Sequence, residues 1–144
     1  MRRLAVAAYE KYVERIGGRP APMDTDYEAV VEQGRAWVAD AEGEVVGLIV
    51  LEEAVDHLLV ENVAVAPRSQ AQGIGRQLLD HAEARARAVG LTEVRLYTHE
   101  TMTENLAYYP RRGYRETHRE TDIGFSRVFF TKVLVDPGPV GTGP

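Results

Sequence analysis

The 144-residue chain contains no cysteine, so a disulfide framework, a thiolate metal site and a cysteine nucleophile are all excluded. It also lacks any apolar run near the roughly 20 residues that a membrane-spanning helix requires. Its longest, Val45 to Leu51, is the length of a strand. Charged residues return at Glu10 and Lys11, too early for the apolar region of a signal peptide, so a cytoplasmic location is the default expectation. Basic residues are in deficit: 17 Lys and Arg against 22 Asp and Glu leave a formal charge of −5. That balance argues against broad nucleic-acid binding, which depends on basic surface neutralising phosphates. It fits a cationic small substrate better than an anionic one, although simple solubility accounts for it first. No pair among His57, His81, His99 and His118 has metal-ligand spacing, so no metal is expected.

What is present describes one compact domain. A hydrophobic fraction of 44% fills a single core of this length. The domain is read as residues 1–135, followed by a Pro- and Gly-rich tail over 136–144 that can form neither ladder nor helix. Apolar residues Val6, Tyr9, Val13 and Ile16 predict a helix over 4–16, stopped by Gly17-Gly18. Asp24 or Thr25 is the expected cap of a second short helix. Residues 36–39 and 45–52 read as a hairpin, and 57–65 as a third strand. The clearest helix spans 73–89, with Leu78, Leu79, Ala82, Ala86 and Val89 on one stripe and Gly90 closing it. A strand over 93–98, a short helix over 103–112 ended by Gly113, and a late strand over 125–134 complete a mixed α/β pattern. Loops at 16–24 and 117–124 are the expected substrate loops.

The most informative stretch runs from Val63 to Leu79: a strand, a proline exit at Pro67, a loop holding Gly73 and Gly75, and then the amphipathic helix. The first amides of a helix lack internal partners, and its N-terminus carries partial positive charge. Glycines let a bulky anion approach, so this arrangement holds a phosphate or pyrophosphate without lysines. A dinucleotide fingerprint would need glycine where Leu78 stands, and a Walker loop would need Gly-Lys-Ser/Thr; neither occurs. Alone, two glycines opening a helix describe a tight strand-to-helix turn equally well.

The flanks add specificity. Val65-x-Pro67, then Gln70-x-x-Gly73-x-Gly75 and Leu78-Leu79, resembles the acetyl-CoA loop of the GCN5-related N-acetyltransferases, the GNAT superfamily. A second segment, from Asn105 through Tyr108, Tyr109 and Gly113 to Tyr114, resembles that family's later helix. The resemblance implies a GNAT-like mixed central sheet flanked by helices, with acetyl-CoA as acyl donor. It places the pantetheine arm against the backbone of Val63, Ala64 and Val65. The pyrophosphate falls on Gln70, Ala71, Gln72, Gly73, Ile74, Gly75 and Arg76, with a further contact from Asn105. Family members usually open with a strand, whereas here Met1 leads almost directly into helix, so the first edge strand is expected to be missing. An uncovered edge invites pairing, which makes a homodimer one expectation.

The implied reaction is direct attack of a primary amine on the thioester, giving a tetrahedral oxyanion and a coenzyme A thiolate. Tyr109, four residues before Gly113, occupies the place of the family's proton donor to that thiolate. A strand amide near Val63 to Val65 would polarise the carbonyl. For the base, Glu61 shares strand parity with Val63 and Val65 if no bulge intervenes; Glu100 or a water relay are the alternatives. The acceptor is a small-molecule or peptide amine. The competing reading is a non-catalytic acyl-CoA-binding regulatory or interaction domain on the same fold.

Overall fold

The computed structural model describes residues 1–16, 19, 21–122 and 125–134. Helix α1 (Arg2–Tyr9) passes through a 3₁₀ turn (Glu10–Tyr12) into α2 (Val13–Ile16). The single helix expected over 4–16 is thus tightened at its middle, where the Val13 amide bonds back only to Glu10. Gly17 and Gly18 lie outside the described residues. Helix α3 (Tyr27–Glu32) is capped by Asp26, which accepts the Ala29 amide at 3.1 Å. Asp24, one of the expected caps, is instead held by the Arg19 guanidinium at 3.0 Å.

Strands β1 (Ala36–Ala41) and β2 (Glu44–Glu53) form the expected hairpin. Glu42 and Gly43, with φ of 54° and 83°, supply the two left-handed residues of a turn that matches strand twist. Next come β3 (Leu58–Val65), a 3₁₀ turn (Pro67–Ser69), α4 (Ile74–Ala88), β4 (Glu93–His99) and α5 (Thr103–Arg111). Strands β5 (Arg115–Asp122) and β6 (Phe125–Val133) close the described chain. The sheet order is β1-β2-β3-β4-β6-β5, with β3 and β4 the parallel pair. No strand precedes α1 among the described residues.

Strand β5 overturns the expectation of a substrate loop over 117–124. Residues 115–121 are exposed, and the sequence shows no apolar alternation there; antiparallel pairing with β6 makes it a strand. The tail over 136–144 lies outside the described residues.

Two cores flank the sheet. Ile49 and Leu51 pack with Leu78, Leu79, Ala82, Ala86 and Phe130 on the α4 face. Leu48 and Val50 alternate with them and pack with Leu4, Ala5, Tyr27 and Val30 on the α1 face. Helix α4 approaches β2 closely at Gly47, where a Cβ would lie 2.9 Å from Ile74 Cγ2 and 3.0 Å from Leu78 Cδ1. Lys132 of β6 donates to Glu83 of α4 at 3.0 Å, a largely buried ion pair that ties the helix to the sheet.

Candidate active site

The site begins with a defect in β3. The register runs Val50 to Asn62 but Leu51 to Val60, so Glu61 is an extra residue without a partner on β2. Such a bulge bends the strand and exchanges its faces. Leu58 and Val60 point to the α4 core before it, and Val63 and Val65 do so after it. Ala64 and Ala66 turn to the α1 core. The bent strand then leaves its parallel neighbour: β3 meets β4 only at Leu58–Val94, Leu59–Arg95 and Val60–Leu96.

Past that point the two strands open into a gap. Ala66 donates to Val46 at 2.8 Å, which fixes the ladder so that Ala64 spends its backbone groups on β2. The N–H and C=O of Val63 and Val65 therefore face the gap. Two carbonyls there already accept hydrogen bonds, Val65 from Gln70 Nε2 at 3.2 Å and Val63 from the Tyr9 hydroxyl at 2.8 Å. The amides are left for a ligand running along the strand. Of the three expected strand contacts, Val63 and Val65 keep polar groups available; Ala64 does not.

On the α4 side of the gap lies a cavity of about 680 Å³. Its floor is the loop from Ser69 to Arg76, in which Ala71 and Gly73 hold φ of 68° and 82°. Gly73 opens α4 without a side-chain cap, leaving the first amides for an anion. A Cβ on Gly75 would meet the Tyr108 hydroxyl at 3.5 Å, an ordinary contact, so that glycine keeps open space in front of the helix. Lys11, Arg76, Arg111 and Arg112 line this cavity, a basic cluster in an acidic protein. The loop and its charges fit a pyrophosphate, and the open edge of β3 fits an extended amide-bearing arm. Gln72, expected in the set, is exposed and does not line the cavity.

On the other side, beneath the segment carrying Arg19, Pro22 and Thr25, lies a cavity of about 580 Å³. Glu61 lines it beside Glu52 and Leu59, while Val65 lies only on the α4-side cavity. The parity expected for Glu61 is overturned by the bulge at Glu61 itself. Its carboxylate accepts from Arg35 Nη1 at 3.0 Å. Partial burial and the neighbouring Glu52 carboxyl nevertheless raise it above the usual carboxylate range, outweighing the guanidinium.

Tyr9, Val63, Met102, Asn105 and Tyr109 line both cavities and mark their junction. Tyr109 is buried, with its ring 5.8 Å from Tyr114 and 5.7 Å from Phe130. Burial raises its hydroxyl well above the ordinary phenol range, so it stays protonated. Asn105 donates to Thr98 Oγ1 at 3.1 Å, which orients its amide at the junction. Tyr108 lines only the α4-side cavity, with Arg112 5.6 Å from its ring centre, so adjacent helical residues serve different places.

Several other candidates lie elsewhere. Glu100 is exposed, 3.9 Å from Arg119, and lines neither cavity. His118 stacks on Phe129 at 4.3 Å. His57 pairs with Asp56 at 2.7 Å, and His81 packs on Trp37 at 5.0 Å. His99 does line the smaller cavity. Among the described residues no group of three or more His, Asp or Glu could hold a metal ion. Sequence reasoning missed Tyr9, Tyr12 and Asn62. Tyr9 read as an apolar member of a helix stripe, and only the fold carries the Tyr9 and Tyr12 hydroxyls to Val63 and Glu104.

A gap of this construction suits a transferase that takes its acyl group from a long, phosphate-bearing thioester. The chain matches the acetyltransferase (GNAT) family over residues 2–114 and belongs to that family. An uncharacterized N-acetyltransferase of Chlorobaculum tepidum is 31% identical over 121 residues, covering 82% of this chain and 75% of that protein. The PaiA N-acetyltransferase of Thermoplasma acidophilum, solved with coenzyme A, superposes with a TM-score of 0.76 at 18% identity. That match covers 92% of this chain and 89% of the other. A GNAT acetyltransferase of Elizabethkingia anophelis with acetyl-CoA bound gives 0.68 at 20% identity, covering 92% and 89%. The chain is an acyltransferase of the N-acetyltransferase class, with the six-stranded mixed sheet of that fold.

Proposed function

We propose that this protein transfers the acetyl group of acetyl-CoA to a primary amine of a small-molecule or peptide acceptor by direct attack on the thioester. The observation that carries this reading is the opening between β3 and β4. It turns the Val63 and Val65 amides toward a gap that joins two cavities, one floored by an uncapped helix N-terminus and the other carrying carboxylates. Acetyl-CoA would supply an acyl group already activated by sulfur.

The chain's own residues account for the rest. Amides of the loop from Gln70 to Gly75, with Arg76, hold the pyrophosphate, while Asn105 contacts the arm from α5. The amide of Val63 or Val65 polarises the carbonyl. Glu61, directly or through water, takes a proton from the amine, and its raised proton affinity suits that role. The acetyl–nitrogen bond forms as the carbon–sulfur bond breaks, and Tyr109 donates its proton to the departing thiolate.

Calorimetric titration with acetyl-CoA and coenzyme A tests the first half. Saturable binding that weakens on Gly73→Val or Gly75→Val is expected, followed by thiol release in an amine screen. Folded protein that binds neither compound would overturn the reading, and binding without turnover on any amine would leave a regulatory domain.

A further inference from the structure

The Tyr9 hydroxyl stands where the two cavities meet, and nothing in the mechanism above uses it. Its hydrogen-bond partners fix which way its proton points. At the far end of the chain of contacts, the Tyr27 hydroxyl bonds the Pro22 carbonyl, an oxygen that can only accept. Tyr27 must therefore donate there, and its own oxygen accepts the Asn62 Nδ2 at 2.7 Å. With its nitrogen committed to Tyr27, Asn62 presents Oδ1 to Tyr9, at 3.0 Å. The second neighbour of the Tyr9 hydroxyl is the Val63 carbonyl at 2.8 Å, again only an acceptor.

Both neighbours of Tyr9 thus claim its single proton, and the direction is anchored three groups away. Toward the junction the Tyr9 oxygen offers only lone pairs. It cannot protonate a thiolate there, and it cannot stabilise a developing negative charge. It can accept a hydrogen bond from an N–H. Burial raises Tyr9 well above the ordinary phenol range, so the oxygen remains a neutral acceptor rather than a base.

Resting on the acetyl-transfer reading, we infer that Tyr9 is a positioning residue for the acceptor: its oxygen receives one N–H of the attacking amine and turns the nitrogen lone pair toward the carbonyl next to Val63. A neutral primary amine has two N–H bonds. One is held by Tyr9, and the other supplies the proton lost to Glu61 or its water as the acetyl–nitrogen bond forms and the carbon–sulfur bond breaks. A secondary amine has a single N–H and cannot serve both. The polarised chain Tyr9–Asn62–Tyr27–Pro22 therefore selects primary over secondary amines.

Methoxyamine and N,O-dimethylhydroxylamine are suitable probes, since both are unprotonated at neutral pH, carry no O–H and differ by one N–H. Thiol release from acetyl-CoA is measured for each, and their rate ratio is divided by the ratio of the uncatalysed reactions. Wild type is expected to favour methoxyamine by about fivefold to tenfold, the worth of one neutral hydrogen bond. Tyr9→Phe should bring that normalised ratio close to one, with circular dichroism unchanged. A ratio unaltered in Tyr9→Phe, whatever happens to the absolute rates, would overturn the inference. If Tyr9→Phe does not fold, Tyr27→Phe carries the test, because loss of the anchor frees the Asn62 amide to turn its NH₂ onto the Tyr9 oxygen. The ratio should then fall, and an unchanged ratio would overturn the directional argument. Failure of wild type to bind acetyl-CoA, or to release thiol with these probes and with every amine of the screen, would overturn acetyl transfer itself, an outcome distinct from either variant result.

Discussion

Arg35, one residue before β1, donates to the carboxylate of Glu61 at 3.0 Å, on the bulge of β3. The same guanidinium donates to the Leu51 carbonyl at 3.2 Å and so braces the strand pair at the point where its register shifts. The contact joins the structural defect that opens the cleft to the carboxylate proposed as base. Arg35 lowers the proton affinity of Glu61, while burial and Glu52 raise it and prevail.

Removing the guanidinium should let Glu61 rise further. In Arg35→Met the acidic limb of the kcat/KM profile is expected to move to higher pH, because the base must be ionised to act. Glu61→Gln should lower kcat by roughly 10² or more and remove that limb. Profiles taken with one amine for all three proteins decide the matter; an unmoved limb in Arg35→Met would mean that Glu61 is not the titrating base.

Stability should respond with the opposite sign. A carboxyl whose folded value lies above its unfolded one favours the fold while protonated, and that contribution is lost as pH rises through the folded value. Glu61→Gln should therefore melt higher than wild type near neutral pH, with the difference shrinking toward about pH 4. Thermal melts across that range check it. Partial exposure of Glu61 keeps the effect small.

Tyr109→Phe separates chemistry from packing. The Tyr109 hydroxyl makes no hydrogen bond among the described residues, while its ring is wedged against Tyr114 and Phe130. Loss of the oxygen should change stability by less than about 1 kcal/mol, yet reduce kcat by about 10²-fold or more. Acetyl-CoA affinity by calorimetry should stay within about threefold.

Gly47 and Gly75 should part company. Gly47→Ala drives a methyl into Ile74 and Leu78, at an expected cost of about 1–3 kcal/mol, and displaces the start of α4. Gly75→Ala meets only ordinary contacts and should melt like wild type, but place a methyl before the helix amides and weaken acetyl-CoA binding about tenfold. Melting curves and titrations of the pair distinguish a packing glycine from a ligand glycine.

The pair of Glu83 and Lys132 offers a test of the α4 core alone. Lys132→Met strands a carboxylate that is 11% exposed, for an expected loss of about 3–5 kcal/mol. Adding Glu83→Gln to it should recover most of that loss in denaturant unfolding.

Much of this was legible in the residues because it is local. Gly73 and Gly75 opening an amphipathic helix, the Glu42-Gly43 turn and the apolar stripe of α4 each follow from neighbours in the chain, where period and turn chemistry act. The loop from Gln70 to Arg76 and the tyrosine before Gly113 entered through the resemblance to the GNAT family, which rests on motifs contiguous in the chain. What escaped depends on partners distant in sequence. Strand β5 has no apolar face to announce it and exists through its bonds to β6. The bulge at Glu61 leaves no mark in its own residues, since it is defined by the pairing of β3 with β2. With it went the facing of Glu61 and the meeting of Tyr9 with Val63 across 54 positions. Sequence alone determined most of the elements and the glycine-opened loop before α4; tertiary pairing decided the last strands and where the sheet opens, because a strand's faces and free edge are properties of its neighbours.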